Sequence, residues 1–319
     1  MVYTTELVRN VALAGHGSTG KTSLLEHLLF TAGAIAKPEL LESGKTVSDN
    51  QEEEIERKIS VRTSLCRSVW ADKKFNFLDT PGASDFVGDV ILALRSCESA
   101  LVMVDARAGV QIETMKTWRN LDARQKPRMA FINKLDEERA SFANAVADIH
   151  EKFKANTVAV TIPMGEGPSF KGIIDVLNQK AYPLPASHDQ KETVQAIPAD
   201  YADAVAAARG ALCEAAADGD DELMEKYLAE GELHQDEIVK GLQEALAANR
   251  VVPVFAGAAT KNSGCMALLD FLATIAPNPY ALAPEAIIGS EAVVKVDPNG
   301  PLCALIIKTQ IDQFSGRLS

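Results

Sequence analysis

The 319 residues allow about two domains of ordinary size, or one large domain carrying an insertion, and exclude a lone small module. Hydrophobic residues at 47% and charged residues at 24% supply a packed core and exclude wholesale disorder. With 32 Lys and Arg against 44 Asp and Glu the net charge is −12, the wrong sign for coating nucleic acid, so any nucleic-acid contact has to be local.

Cys66, Cys97, Cys213, Cys265 and Cys303 are scattered and never form a C-x-x-C pair, which argues against a disulfide framework or a zinc site. The opening MVYTTELVRN carries no basic segment leading into an apolar stretch, and no run reaches the length of a membrane span. A reduced, cytoplasmic protein without membrane attachment is expected, and a monomer.

In chain order, the first predicted element is a strand over Val8–Ala14 (VRNVALA), followed by GHGSTGKT from Gly15 to Thr22 and then by Leu24, Leu25, Leu28 and Leu29 at helical spacing. Strand, glycine loop and helix make a P-loop. Gly15, Gly17 and Gly20 let consecutive N–H groups converge on phosphates at the positive end of the helix. The expected phosphate cradle is Gly15, His16, Gly17, Ser18, Thr19, Gly20, Lys21, Thr22 and Ser23. Lys21 is expected to reach the β- and γ-phosphates and Thr22 to offer its hydroxyl to Mg²⁺. His16 has no visible acid–base partner and is read as a backbone and packing residue.

A turn at Ala71–Lys74 precedes a short buried strand, Phe75–Leu78, that ends in Asp79-Thr80-Pro81-Gly82. An acid ending such a strand in a P-loop protein faces the metal, and the Gly82 N–H is placed to sense the γ-phosphate. Standing alone, this motif reads better as an ordinary Pro-Gly turn. Met129–Ile132 predicts a strand running into Asn133-Lys134-Leu135-Asp136. A carboxylate there accepts hydrogen bonds from guanine N1–H and the exocyclic amine, a pair that adenine cannot offer. Such a buried polar site discriminates by roughly 10⁴ or more. Asn133 is expected at N7 and at the P-loop, and the Lys134 stem over the base. Late in the chain, Val251–Phe255 leads into Gly257-Ala258-Ala259, small enough for backbone N–H groups to approach guanine O6.

The order of these motifs resembles the translational GTPases, and among them the elongation factor G family. VDARAGVQ (104–111), ETMKTWRNLDARQKPRMAFINKLD, FKGIID (170–175) and the stretch 252–279 with GAATKNSG and LLDFLATIAPNP carry the resemblance, which covers nearly the whole chain. It implies GTP or GDP as ligand and Mg²⁺ as cofactor, held by Thr22, Ser60 and Asp79. It further implies catalysis through Lys21, Gly82 and position 83, and a ribosome, with its RNA, as partner. The expected fold is α/β, a doubly wound, mostly parallel P-loop GTPase sheet with an α+β insertion and the start of a β-barrel.

The organisation expected is GTPase domain over 1–154 and 251–284, insertion over 155–250, and linker with the start of a truncated barrel over 285–319. Strands are predicted at Thr157–Ile162 and Phe170–Val176, and helices at Tyr201–Ala217, Asp220–Ala229 and Gln235–Ala248. The acids on those helices either solvate exposed faces or, as the resemblance implies, dock a ribosomal stalk protein. Pro301–Gln310 is read as a first barrel strand with a turn near Ser315 and Gly316. A lone strand or two cannot close a barrel, so a piece of a longer protein is expected.

Three positions depart from the family pattern. Ala83 replaces the His after DTPG that positions the attacking water, Ser18 replaces the P-loop Asp, and Arg57-Lys58-Ile59-Ser60 replaces R-G-I-T. The expected function is therefore a GTP-binding translation factor with weak intrinsic hydrolysis. The alternatives are a GTP-binding switch or interaction protein with little hydrolysis that does not act in translocation, and a P-loop ATPase or small-molecule kinase, which NKLD disfavours. The charged, apolar-poor stretch Lys45–Ser60 is expected to be mobile without GTP.

Overall fold

Apolar alternation along β1 (Val8–Gly15) sends Val11 and Leu13 into one core and Ala12 and Ala14 into the other, as a strand covered on both faces requires. We describe a computed structural model in which residues 3–281, 284–287, 289–291, 293–302, 304–312 and 316–318 are defined. The P-loop leads into α1 (Lys21–Thr31), all eleven residues of which are buried. A short helix α2 (Glu52–Arg57) lies in the segment before β2 (Ser64–Trp70), which turns back as the antiparallel partner of β3 (Lys73–Asp79). Ala71 and Asp72, both at positive φ, make that two-residue turn.

Then follow α3 (Val87–Arg95), β4 (Ser99–Asp105), α4 (Ile112–Ala123), β5 (Arg128–Asn133) and α5 (Phe142–Phe153). The insertion region contributes β6 (Thr157–Ala159), β7 (Thr161–Pro163), β8 (Gly172–Asp175), β9 (Lys180–Pro183), α6 (Ala202–Ala217), α7 (Asp221–Glu230) and α8 (Gln235–Ala247). The chain returns through β10 (Val252–Ala256) to α9 (Cys265–Thr274).

Seven strands form one sheet in the order β2-β3-β1-β4-β5-β10-β6, parallel except for β2. Because β1 has β3 on one side and β4 on the other, the chain winds outward in both directions from it. The loop after β1 thus sits at the switch point where doubly wound sheets bind ligands. The core on the α1 and α9 face continues without a break into the insertion helices, through Leu212, Ile238 and Leu242. The opposite core packs α3, α4 and α5 with Leu94, Leu121 and Ile149 fully buried.

Two sequence expectations change. The single strand over Thr157–Ile162 is divided: Thr157–Ala159 pairs with β10 as the edge of the main sheet, and Thr161–Pro163 pairs with β8 in the three-stranded sheet β7-β8-β9. Val160, between them, donates to Val254 and accepts from Val176, so the chain crosses from one sheet to the other at that residue. The strand expected at Pro301–Gln310 begins only at Gln310, where Gln310–Asp312 pairs with Gly316–Leu318. Cys303 and Ser315 lie outside the described residues.

Candidate functional site

Gly15 ends β1 at φ +138°, and a Cβ there would stand 2.6 Å from the Met103 carbonyl oxygen. The chain then curls through Ser18 at φ 61° and Gly20 at φ +92°, the latter forming the N-cap of α1. Among the described residues, no hydrogen bond leaves the backbone N–H groups of Gly17, Ser18, Thr19 and Gly20. They crown the helix N-terminus and are available to an anion. The inward carbonyls are occupied: Lys21 Nζ donates to Gly15 O at 3.2 Å and to His16 O at 2.9 Å, and Thr19 Oγ1 donates to His16 O at 2.8 Å. Burial pulls the Lys21 ammonium down to about 8, against the opposing pull of Asp79 and Asp49. His16 Nδ1 is buried without a partner, and Ser23 lends its carbonyl to the His27 ring at 2.8 Å.

The three residues expected at the metal come together. Thr22 Oγ1 donates to Asp79 Oδ2 at 2.7 Å and lies 3.3 Å from Ser60 Oγ. Asp79 ends β3 fully buried, which pushes its carboxyl up to about 6, while Thr22 and Lys21 pull the other way. Its second oxygen, Oδ1, has no hydrogen-bond partner among the described residues. A buried carboxylate oxygen without a donor, beside two hydroxyl oxygens, fits a hard divalent cation that prefers oxygen. The following loop lies directly on the P-loop: a Cβ on Gly82 would meet Lys21 Nζ at 2.6 Å and Gly17 N at 2.7 Å. Ala83, half-buried, caps the 3₁₀ turn Ser84–Phe86, and its methyl offers nothing to hold a water.

At the other end, Asn133 is buried and bonds both ways. Its Nδ2 donates to Thr19 O at 2.7 Å, and its Oδ1 accepts from Ala259 N at 2.8 Å. One side chain thereby ties the P-loop to the Gly257-Ala258-Ala259 loop. Gly20 has to be glycine here, because a Cβ would stand 2.3 Å from Asn133 Nδ2. Leu135 N donates to Gly257 O at 3.2 Å, which sets the two base-side loops against each other. Lys134, at φ 66°, carries its ammonium to Asp105 Oδ2 at 2.9 Å, holding that carboxylate below its ordinary range. Asp136 is half-buried two residues on. Gly257 admits no side chain, its Cβ position lying 2.3 Å from Phe131 Cζ.

Sequence reasoning did not find the carboxylates that hold the flanking loops. Glu26 on α1 accepts from Glu39 N at 3.1 Å and from Val47 N, fastening both ends of that segment. Glu54 on α2 accepts from Val61 N at 3.0 Å and Gln51 N at 3.2 Å, drawing the stretch before Ser60 into a closed turn. Asp49 is buried near Lys21 and Ser60, its carboxyl raised by burial. Nothing in the local pattern marks these acids as buried, since each looks like a surface charge in a polar stretch. Lys58 closes α2 at φ 55°, in the left-handed region where the R-G-I-T pattern has glycine.

The model of the elongation factor Tu GTP binding domain matches residues 6–278. An elongation factor G-like protein of Thermotoga maritima is 36% identical over 98% of this chain, which spans 44% of that relative. A crystal structure from Thermus thermophilus superposes with a TM-score of 0.82 at 29% identity, over 98% of this chain and 44% of that one. The chain thus spans less than half the length of these relatives. With the P-loop, DTPG and NKLD following the carboxyl ends of β1, β3 and β5, it belongs to the elongation factor Tu GTP binding domain family.

Proposed function

We propose that this GTPase domain binds GTP with Mg²⁺ and hydrolyses it in a ribosome-associated step, slowly when alone. The observation that carries the reading is the joining of Thr22, Asp79 and Ser60 beside Lys21, with Asn133 fastening that end to the Ala259 loop. The N–H groups of residues 17–20 bind the phosphates and Lys21 neutralises their charge. Asp136, Asn133 and the 257–259 loop read guanine. Thr22, Ser60 and Asp79 hold Mg²⁺, which when bound stabilises negative charge developing on the phosphate oxygens. Binding and rate are separable: cradle and base pocket set affinity, whereas orienting the water sets kcat. Ala83 orients no water, so the intrinsic rate is low.

The exposed acids Glu214, Asp221, Glu222, Glu225, Asp236 and Glu244 line the insertion helices and support docking of a ribosomal stalk protein there. Ala83 also supports a second reading, a GTP-dependent switch that hydrolyses little and does not act in translocation. Single-turnover hydrolysis by the complete protein, with and without ribosomes, separates the two. The first reading predicts stimulation by ribosomes, and a further gain of about 10²–10³ for Ala83→His. No stimulation, together with no co-sedimentation with ribosomes under a non-hydrolysable GTP analogue, leaves the second.

A further inference from the structure

Gly264 opens α9 at φ +94°, and with no side chain of its own to spare it leaves the first N–H groups of that helix uncapped from within. The cap comes from elsewhere. Glu192, between β9 and α6, is almost wholly buried and accepts from Gly264 N through Oε1 and from Met266 N through Oε2, both at 2.7 Å. Its neighbours grip the same corner: the Gln190 carbonyl accepts from Asn262 Nδ2 at 2.8 Å, and Lys191 Nζ donates to Thr31 O at 3.0 Å. Asn262, fully buried, also accepts from Thr31 Oγ1 at 3.2 Å.

From that corner the bonds run straight to the base pocket. Ser263, one residue before Gly264, exchanges both backbone hydrogen bonds with Ala258, at 3.1 and 3.2 Å. Ala259 N then donates to Asn133, and Asn133 to Thr19. The Gly257–Gly264 loop is therefore held from two sides, by Asn133 at one end and by the Gln190–Glu192 arm at the other. The arm in turn belongs to the insertion, since Gln195 exchanges two backbone bonds with Ala181 of β9.

We infer that Glu192 is a positioning residue for guanine recognition, setting the Gly257–Ala259 backbone at the height that reads the O6 edge. This rests on the guanine-site reading proposed above. The role is specific in an observable way, because the O6 edge belongs to the 257–259 loop whereas the exocyclic amine belongs to Asp136. Loss of Glu192 should blunt one discrimination and spare the other.

The test is equilibrium competition against a fluorescent GDP, with Mg²⁺, using GDP, 6-thio-GDP and IDP on the complete protein. The thio analogue changes chiefly the acceptor at position 6, and IDP lacks only the amine. For Glu192→Ala, which orphans the Gly264 and Met266 N–H groups, we expect GDP to bind about tenfold more weakly. The preference for GDP over 6-thio-GDP falls toward unity, and the preference over IDP holds. Glu192→Gln, which keeps one carbonyl acceptor, recovers part of the first preference, and it decides the matter alone if the alanine variant does not fold. Retention of both preferences, or an equal loss of both, overturns the positioning role. Failure of the unsubstituted protein to bind GDP overturns instead the guanine-site reading beneath it.

Discussion

Replacing Asn133 by Ala removes a side chain that joins the two halves of the site, and its cost can be worked from the hydrogen bonds it severs. Asn133 lies 2% exposed, and its two partners are backbone groups at buried positions, the Thr19 carbonyl and the Ala259 N–H. An unsatisfied buried polar group costs about 1–3 kcal/mol, so two cost about 2–6 kcal/mol. That is a large share of the roughly 5–15 kcal/mol that holds a domain folded. Binding of nucleotide to the folded state alone offsets about 2.7 kcal/mol at a hundredfold excess over Kd. Urea denaturation should therefore show the variant markedly destabilised, and the loss only partly recovered by excess Mg²⁺ and GDP. Asn133→Asp keeps the acceptor toward Ala259 but turns an oxygen on the Thr19 carbonyl, and should be no better. A change in stability below about 0.5 kcal/mol, with unaltered GDP affinity, would refute the bridging role.

Lys58→Gly relieves a lysine held in the left-handed region at the end of α2, and should stabilise the protein by about 0.5–1 kcal/mol, read as a rise in Tm of a few degrees at most. Glu192 makes stability depend on pH with a definite sign. Burial raises its carboxyl from 4.5 to about 7, against the pull of the Met266, Gly264 and Cys265 N–H groups. The folded state then binds the extra proton between those values, so the contribution of Glu192 is fully present below about 4.5 and is lost as pH rises through about 7. Relative to the native protein, Glu192→Gln should gain stability by up to about 3 kcal/mol on going from pH 4.5 to pH 8, measured by denaturation at each pH. A constant difference between the two across that range would refute it. Asp136→Asn replaces an acceptor facing the guanine amine with an amide that donates to a carbonyl, so the preference should pass from guanine to xanthine nucleotides, by about 10²-fold or more in relative affinity, measured by competition.

Much of the site was legible because its parts are local. Strand, glycine loop and helix over residues 8–31 announce themselves by alternation giving way to helical spacing, and β3 ends at Asp79, β5 at Asn133 and β10 one residue before Gly257, each where the sequence placed a motif. What escaped was set by tertiary context. β2 alternates exposed Leu65, Arg67 and Val69 with buried Cys66 and Ser68, an edge-strand pattern hidden among polar residues, although the turn after it, at Ala71-Asp72, was legible. The division of Thr157–Ile162 between two sheets depends on which strands lie beside it, which no local pattern encodes. Glu26, Glu54 and Glu192 look like solvated charges and become buried anchors only because distant backbone N–H groups meet them. The same holds for Lys58: the chain shows that glycine is missing, but only the fold shows that the position lies at φ 55°.

The proposed function requires one site that would grip phosphates at the P-loop and read guanine at Asp136 and the Gly257–Ala259 loop. Competition of GTP, GDP and ATP for the site on the purified protein with Mg²⁺ tests it most directly. We predict that GTP and GDP displace a fluorescent guanine nucleotide while ATP does so at least about 10³–10⁴ times more weakly. Equal displacement by ATP, or no guanine-nucleotide binding at all, would contradict it.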